Sequence, residues 1–492
     1  MANAAEKDPK NPSTTSDAYD FMAPKWNVIA ALLGGTESMR SEGERYLPKH
    51  QEETQQGWEA RRDGAVLLNM VEQTLDTLAG KPFTEPIKAK DDVPAIIQEK
   101  VLDDVDLQGN NLNVFCRAWF REGVAKSFCH VLVDMPRPEP LPEGVPRTLA
   151  DDRNQGIRPY WIMIKPEHLL FARAEVINGV ETLLHVRIME VYTEQVGFAE
   201  VTRKRIRVLE PGKVQLWVPK KVQSGRQEEW ELEDEWGTGL TYIPLVTFYA
   251  DRSEFMMGKP PLLDLAWLNV AHWQSSSDQR HILTVARFPV LACSGQSGED
   301  SDPVVVGPNR VLYNPDPQGR FYYVEHTGAA IAAGRTDLKD LEEVMSSYGA
   351  EFLKDKPNNP TATARILDSA ESSSDLAAMV LLFEDIVALA LSYTADWMGL
   401  GTEGGTVEIV KDFGTVLTGK DTLDALRAAR ASRDISRVTY LNQLRLAGVL
   451  PEEFDIDEDW DALMEETSAT MGAAGIDLNP GAQTGSIDRR LS

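Results

Sequence analysis

Apolar positions follow a helical period up to about residue 128, a period of two from about 158 to 250, and a helical period again through most of the remainder. "WNVIAALLGG" predicts a short helix stopped by Gly34 and Gly35. Over 57–80, Leu67, Val71, Leu75 and Leu78 recur at helical spacing and Gly80 follows, which predicts one longer helix. Residues 111–128 predict another helix, passing into the apolar strand "CHVLVDM". A proline-rich connector, 136–147, interrupts. The period-two stretches that follow carry hairpin turns at "VINGVE" and "LEPGKV", so this section reads as antiparallel β.

After Pro260 and Pro261 a helix runs to about Arg287, a span of roughly 37 Å. Its centre, "QSSSDQR", is small and polar, which predicts a wet face. Short strands with Gly, Pro and Asp turns occupy 289–325. Helix returns at about 336 and meets "KDKPNNPTATARIL" (354–367), a stiff, polar and cationic loop. Some 35 residues of helix then end near Trp397, roughly 50 Å at the same rise. A lone strand is expected at 406–414, with helices over 419–447 and 459–467. The polar residues 1–20 and the tail 468–492 are expected to be disordered. The most apolar run, 376–393, carries Glu384 and Asp385 at its centre. Each would cost roughly 3 kcal/mol in a bilayer, so the run reads as a buried soluble helix and no membrane partner is expected.

Composition narrows this picture. The chain has 492 residues, enough for two to four core-bearing units, and a net charge of −27. Such acidity argues against tight, indiscriminate nucleic-acid binding, which needs Lys and Arg to neutralise phosphates. It is compatible with a conduit that lets nucleic acid pass between repulsive walls. Cys116, Cys129 and Cys293 form neither a disulfide framework nor a zinc pair, which points to synthesis in a reducing cytoplasm. The N-terminus lacks the basic-then-apolar pattern of a signal peptide.

Motifs for chemistry are thin. "GTVLTGKD" has Gly414, Gly419 and Lys420 at P-loop spacing, but Asp421 stands where Ser or Thr should bind magnesium. Thr418 capping a helix, with Asp421 in its first turn, explains the stretch as well. "DIDEDWDALMEE" (455–466) resembles a calcium loop, yet Trp460 occupies the position that needs Gly. The seven histidines are scattered singly, and no pair of carboxylates stands out for a two-metal site. Arg203, Arg205 and Arg207 share one face of a strand; ion pairing with neighbouring acids accounts for them. Arg427, Arg430, Arg433 and Arg437 are placed along one helical stripe, for pairing with the acidic 452–461 segment within or between subunits, or for phosphate contact.

The order of these parts resembles the portal (head-to-tail connector) proteins of tailed bacteriophages. The likeness rests on "WNVIAALLGGTESMRSEGERYLPKH", "IPLVTFYADR", "PPLLDLAWLNVAHWQSSSDQRHIL", "RFPVLACSG" and "PTATARILDSAESSSDL", and covers most of 24–450. None of these phrases is a catalytic signature, so neither an enzymatic reaction nor a cofactor or metal is expected. The resemblance implies an α+β portal fold, assembled as a ring of typically twelve copies at one capsid vertex of the virion. It implies a wing over 21–260, a first stem helix at 261–288, a clip at 289–330 and a second stem helix at 331–353. A tunnel loop at 354–361, a long wing helix and strand over 362–418 and a short crown over 419–467 would follow. Ser275, Ser276, Asp278 and Gln279 would face the channel. Lys354, Lys356, Asn358 and Asn359 would point at double-stranded DNA inside it. The partners implied are the terminase large subunit, a tail or head-completion adaptor, and the major capsid and scaffolding proteins. Two readings from other classes stay open: a monomeric acidic adaptor or scaffold, and a nucleotide-dependent enzyme using Lys420.

Overall fold

The computed structural model describes residues 7–137, 156–220, 229–286, 290–294, 318–324, 328–350, 362–411 and 420–446, with 449–450, 454, 456, 459–460 and 462–463. It is mixed α and β, and the chain divides into two compact units at Phe413 and Gly414.

In the first unit the leading helices are α1 (Asp17–Leu33), α2 (Gly35–Ser41), α3 (Gln55–Gly64), α4 (Met70–Gly80), α5 (Ala95–Lys100) and α6 (Leu112–Lys126). Ser16 caps α1 by accepting from the Tyr19 amide, and Asn111 caps α6 by accepting from Val114. The ten residues before α1 are held rather than loose. The Ser16 amide donates to the Leu170 carbonyl at 2.9 Å, and Lys7 pairs with Asp17 and Asp20. The single helix expected over 57–80 is two helices. Ala65 turns extended, and buried Asn269 accepts from the Met70 and Val71 amides at 3.0 and 3.3 Å, satisfying the exposed first turn of α4.

The β section has two sheets. β2 (Phe128–Asp134) lies between β3 (Tyr160–Ile164) and β9 (Leu245–Tyr249). β4 (Leu169–Ile177), β5 (Val180–Val196), β6 (Ala199–Glu210), β7 (Lys213–Pro219) and β8 (Trp230–Gly237) form an antiparallel meander in that order. The β4–β5 turn is Asn178-Gly179, both left-handed, the hairpin geometry that Asn-Gly favours. β1 (Lys88–Ala89) pairs with β12 (Val407–Glu408), so the described part of the lone strand expected at 406–414 is a two-residue ladder, and 412–414 lie outside the described residues.

α7 (Leu263–Ala286) and α8 (Ala329–Ala350) flank a hairpin of β10 (Val290–Ser294) and β11 (Arg320–Val324). α8 begins seven residues before its expected start. α9 (Ala362–Trp397) follows. Its Leu376–Trp397 portion is long and apolar enough to span a membrane, but Val380, Phe383, Val387 and Leu391 pack into the main core. Glu384 takes the Ile409 amide at 2.7 Å and Lys411 at 2.9 Å. The main core joins α1, α4, α6, α7 and α9 to β2, with Phe383 edge-on to Trp119, Phe120 and Phe248.

His130 on β2 is fully buried and bonds Thr247 Oγ1 through Nδ1 at 2.9 Å. Burial pushes its pKa down to about 3 from 6.5. Between those values the unfolded chain binds the proton and the folded chain does not. Stability is therefore full above 6.5 and falls with pH by about 1.4 kcal/mol per unit. His130→Gln should flatten this slope, read from urea midpoints at pH 7 and pH 5.

The second unit contains α10 (Lys420–Ala431) and α11 (Arg437–Leu446). The tail 468–492 and the glycines at 414 and 419 lie outside the described residues.

Candidate functional site

The helix expected to be wet, α7, is a two-sided polar strut. Its apolar positions Leu265, Ala266, Val270 and Trp273 are buried in the core. On one side its polar turn meets the α2–α3 region. Gln274 donates to the Tyr46 carbonyl at 3.0 Å, and Ser277 donates to the Arg61 carbonyl at 3.4 Å. Asp278 accepts from Arg61 Nη1 at 3.1 Å and lies 3.0 Å from His50 Nε2.

Arg61 is the centre of this network and is almost wholly buried. Its Nε and Nη2 grip both oxygens of Glu53 at 2.9 and 2.8 Å, and Nη2 also reaches the Pro48 carbonyl at 2.8 Å. This bidentate bond holds the Glu53 carboxyl down at about 2 and raises the arginine. Nothing in "EARRDG" marks Arg61 apart from Arg62, so sequence reasoning missed it.

The other side of α7 meets α8, which runs antiparallel to it. Gln279 Nε2 donates to the Ile331 carbonyl at 2.9 Å, Ser275 to Asp337 at 3.0 Å, and His272 lies 3.4 Å from Glu342. Gly334 makes the first contact possible, since a Cβ there would lie 2.2 Å from Gln279 Oε1.

These contacts revise the expected wet face. Ser275, Ser276 and Asp278 are half-buried, but Gln279 is buried against α8. The polarity of "QSSSDQR" is used largely for bonds between helices. Solvent instead meets α8, in which Met345 is the one buried residue among those whose side chains are described. Asp340 and Glu343 are exposed, as are Asp337 and Glu342 beside their contacts with α7, against Arg335 and Lys339, so the exposed surface of α8 is net acidic.

Lys354, Lys356, Asn358 and Asn359 lie outside the described residues, in the segment between the end of α8 and the start of α9. The arginine stripe is broken. α10 stops at Ala431 and Arg433 sits in the turn with a left-handed φ of 66°. Arg430 donates weakly to the Ile435 carbonyl, Arg427 is exposed, and Arg437 pairs with Asp459 while covering the Trp460 ring at 4.7 Å. On β6, Arg203 pairs with Glu194, Arg205 with Glu190, and Arg207 with both Asp134 and Glu190, which neutralises that row. Among the described residues no group of three His, Cys, Asp or Glu could hold a metal ion.

A family profile described as a domain of unknown function (DUF4055) matches residues 261–398, from the start of α7 to the end of α9. No curated protein matches the chain by sequence. Among solved structures, the chain is similar to one from the neck of an empty GTA particle computed with C6 symmetry. The identity is 13%, over 77% of this chain and 89% of that one, with a TM-score of 0.36. It is similar to one from the neck of a native GTA particle computed with C12 symmetry, at 11% identity over 77% and 89%, with a TM-score of 0.35. A chain of the virion of a native gene transfer agent (GTA) particle is 12% identical over 84% of this chain and 98% of that one, with a TM-score of 0.36. These likenesses are too distant to carry a function across.

Proposed function

We propose that this chain is a structural head-to-tail connector of a tailed-phage-type particle. Several copies, twelve in the family it resembles, close into a ring at one capsid vertex. Viral double-stranded DNA is packaged and ejected through its bore. The observation that carries the reading is the α7–α8 pair. α7 is locked into the core, while α8 lies along it and leaves a largely exposed, net acidic surface to solvent. A helix that is polar over most of its surface needs either water or further copies around it. Repeated around a bore, such surfaces repel phosphate and let a duplex slide. Lys354 and Lys356, with Asn358 and Asn359, then supply weak contacts to the DNA backbone that do not read its sequence. The β10–β11 hairpin serves as the clip that meets the terminase large subunit and later a tail adaptor. The wing and crown face the major capsid and scaffolding proteins.

Negative-stain imaging and mass measurement test the ring. An annular particle many times 54.7 kDa is expected, and a species that stays near 54.7 kDa would remove the reading in favour of a monomeric adaptor. Changing Lys354 and Lys356 together to Glu should leave assembly intact and alter DNA packaging or retention. Normal packaging and retention in that variant would count against the loop's role.

A further inference from the structure

β5 and β6 continue as a two-stranded arm beyond Met189 and Ile206, where their contact with a core cluster ends. Val191, Tyr192 and Val196 on this arm are exposed, and Phe198 at its turn is fully exposed. Ion pairs between Glu194 and Arg203 and between Glu190 and Arg205 brace its two strands. A two-stranded hairpin with no layer packed on it is marginal in water. Covering one phenylalanine removes roughly 150–250 Å² from solvent. The arm is built as though something covers its tip.

At the opposite end of the same strand, Val180 lines a groove of about 820 Å³. Phe255, Leu382, Ile386 and Leu389 give it an apolar lining, with Leu382 and Leu389 exposed on the outer side of α9. β9 also lines it, and β9 is the edge of its sheet, with no strand beyond it among the described residues. Asp385 is exposed in this groove and has no partner among the described residues.

The arm cannot fill its own groove. Sixteen steps of β5 separate Val180 from Val196, which is about 50 Å at the rise of a strand. We propose that the arm tip of one copy seats in the groove of a second copy of this chain. Val196 and Phe198 enter the apolar part, and the free edge of β9 accepts the backbone of the incoming strand. Among the described residues Arg203 bonds Glu194 through its Nε, so its Nη donors can meet Asp385, which has no partner among them. A stable interface covers about 800 Å² on each partner, and a hairpin tip supplies only part of that. The seated arm is therefore a latch within a larger contact between copies. It rests on the part of the proposed function in which copies associate, and not on a channel.

Crosslinking tests it on the full chain under assembly conditions. A variant carrying both Phe198→Cys and Leu389→Cys should give a ladder of disulfide-linked oligomers on mild oxidation, and neither single variant should. Phe198→Asp should raise the concentration for half-assembly about ten- to a hundred-fold, the effect of leaving a large apolar side chain uncovered. The monomer's melting temperature should not move, because Phe198 is fully exposed in the single chain. Annular particles that form without crosslinks, together with wild-type assembly of Phe198→Asp, would overturn the latch and leave the ring. Crosslinked pairs without annuli would uphold the latch and remove the ring, and the absence of both would remove both.

Discussion

Replacing Lys126 with methionine is expected to destabilise the first unit by about 3–5 kcal/mol, the cost of leaving buried carboxylates without their counterion. Lys126 ends α6 with its ammonium almost wholly buried, 2.5 Å from both Glu122 and Glu167. Burial opposes the charge, but the two carboxylates overcome it and hold the lysine above its ordinary value. The same place ties three elements together. The Trp26 indole of α1 donates to the Lys126 carbonyl at 3.1 Å, and the Tyr19 hydroxyl donates to the Glu167 carbonyl at 3.1 Å. Acid reveals the sign. Glu167 is held below the usual glutamate range in the folded protein, with burial opposing and Lys126 prevailing. Its contribution is present above the unfolded value and is lost as pH falls. In Lys126→Met burial is no longer opposed by the lysine charge, so Glu167 takes up a proton sooner. The gap between wild type and variant should therefore narrow as pH falls from 7 to 4. A gap that is constant with pH, or below about 1 kcal/mol at pH 7, would show that the lysine acts by packing alone. Adding Glu167→Gln to Lys126→Met should recover part of the loss.

The sequence revealed features whose cause is local. Asn178-Gly179 announces a hairpin, because the turn is satisfied within a few residues. It misled where a distant residue completes the structure. The apolar spacing through 57–80 continues across the break between α3 and α4. The group that stabilises the break, Asn269, lies 199 residues from Met70. The arginines from 427 to 437 fit one helical stripe on paper, yet the turn at 432–436 separates them. The polar centre of α7 carried a true signal, since a core helix has no need of three serines. Its helix-to-helix bonds were not legible, because hydrogen bonds to α3 and α8 and contact with water select the same residue types. The arm tip and its groove were not visible at all. Exposure of Phe198, Leu382 and Leu389 is a property of the folded surface, and alternation along β5 and β6 looks the same whether or not a layer covers it.

Arg61→Met should also cost about 3–5 kcal/mol, and its damage should be directional. The guanidinium joins α3 to the 48–53 segment through Glu53 and Pro48, and to α7 through Asp278. Methionine keeps much of the packing volume and removes every one of these bonds, stranding the Glu53 carboxylate in a largely buried position. Asp278→Asn should be far milder, because Arg61 keeps its bidentate bond to Glu53 and the amide oxygen can still accept. Acid should echo this order. Glu53 sits at about 2 when folded against an ordinary 4.5, so its contribution is present above 4.5 and fades as pH falls towards 2. Arg61→Met should lack that acid-labile contribution, and Asp278→Asn should retain it. Hydrogen exchange locates the effect. Loss of Arg61 should speed exchange in α3 and in the turn of α7 around Asp278 before the β2 sheet responds, since β2 has its own core contacts. Because α7 is the strut on which α8 lies, a uniform rise in exchange across the whole unit would mean that Arg61 supports global stability. Only the localised pattern identifies it as the residue that positions the α7–α8 pair.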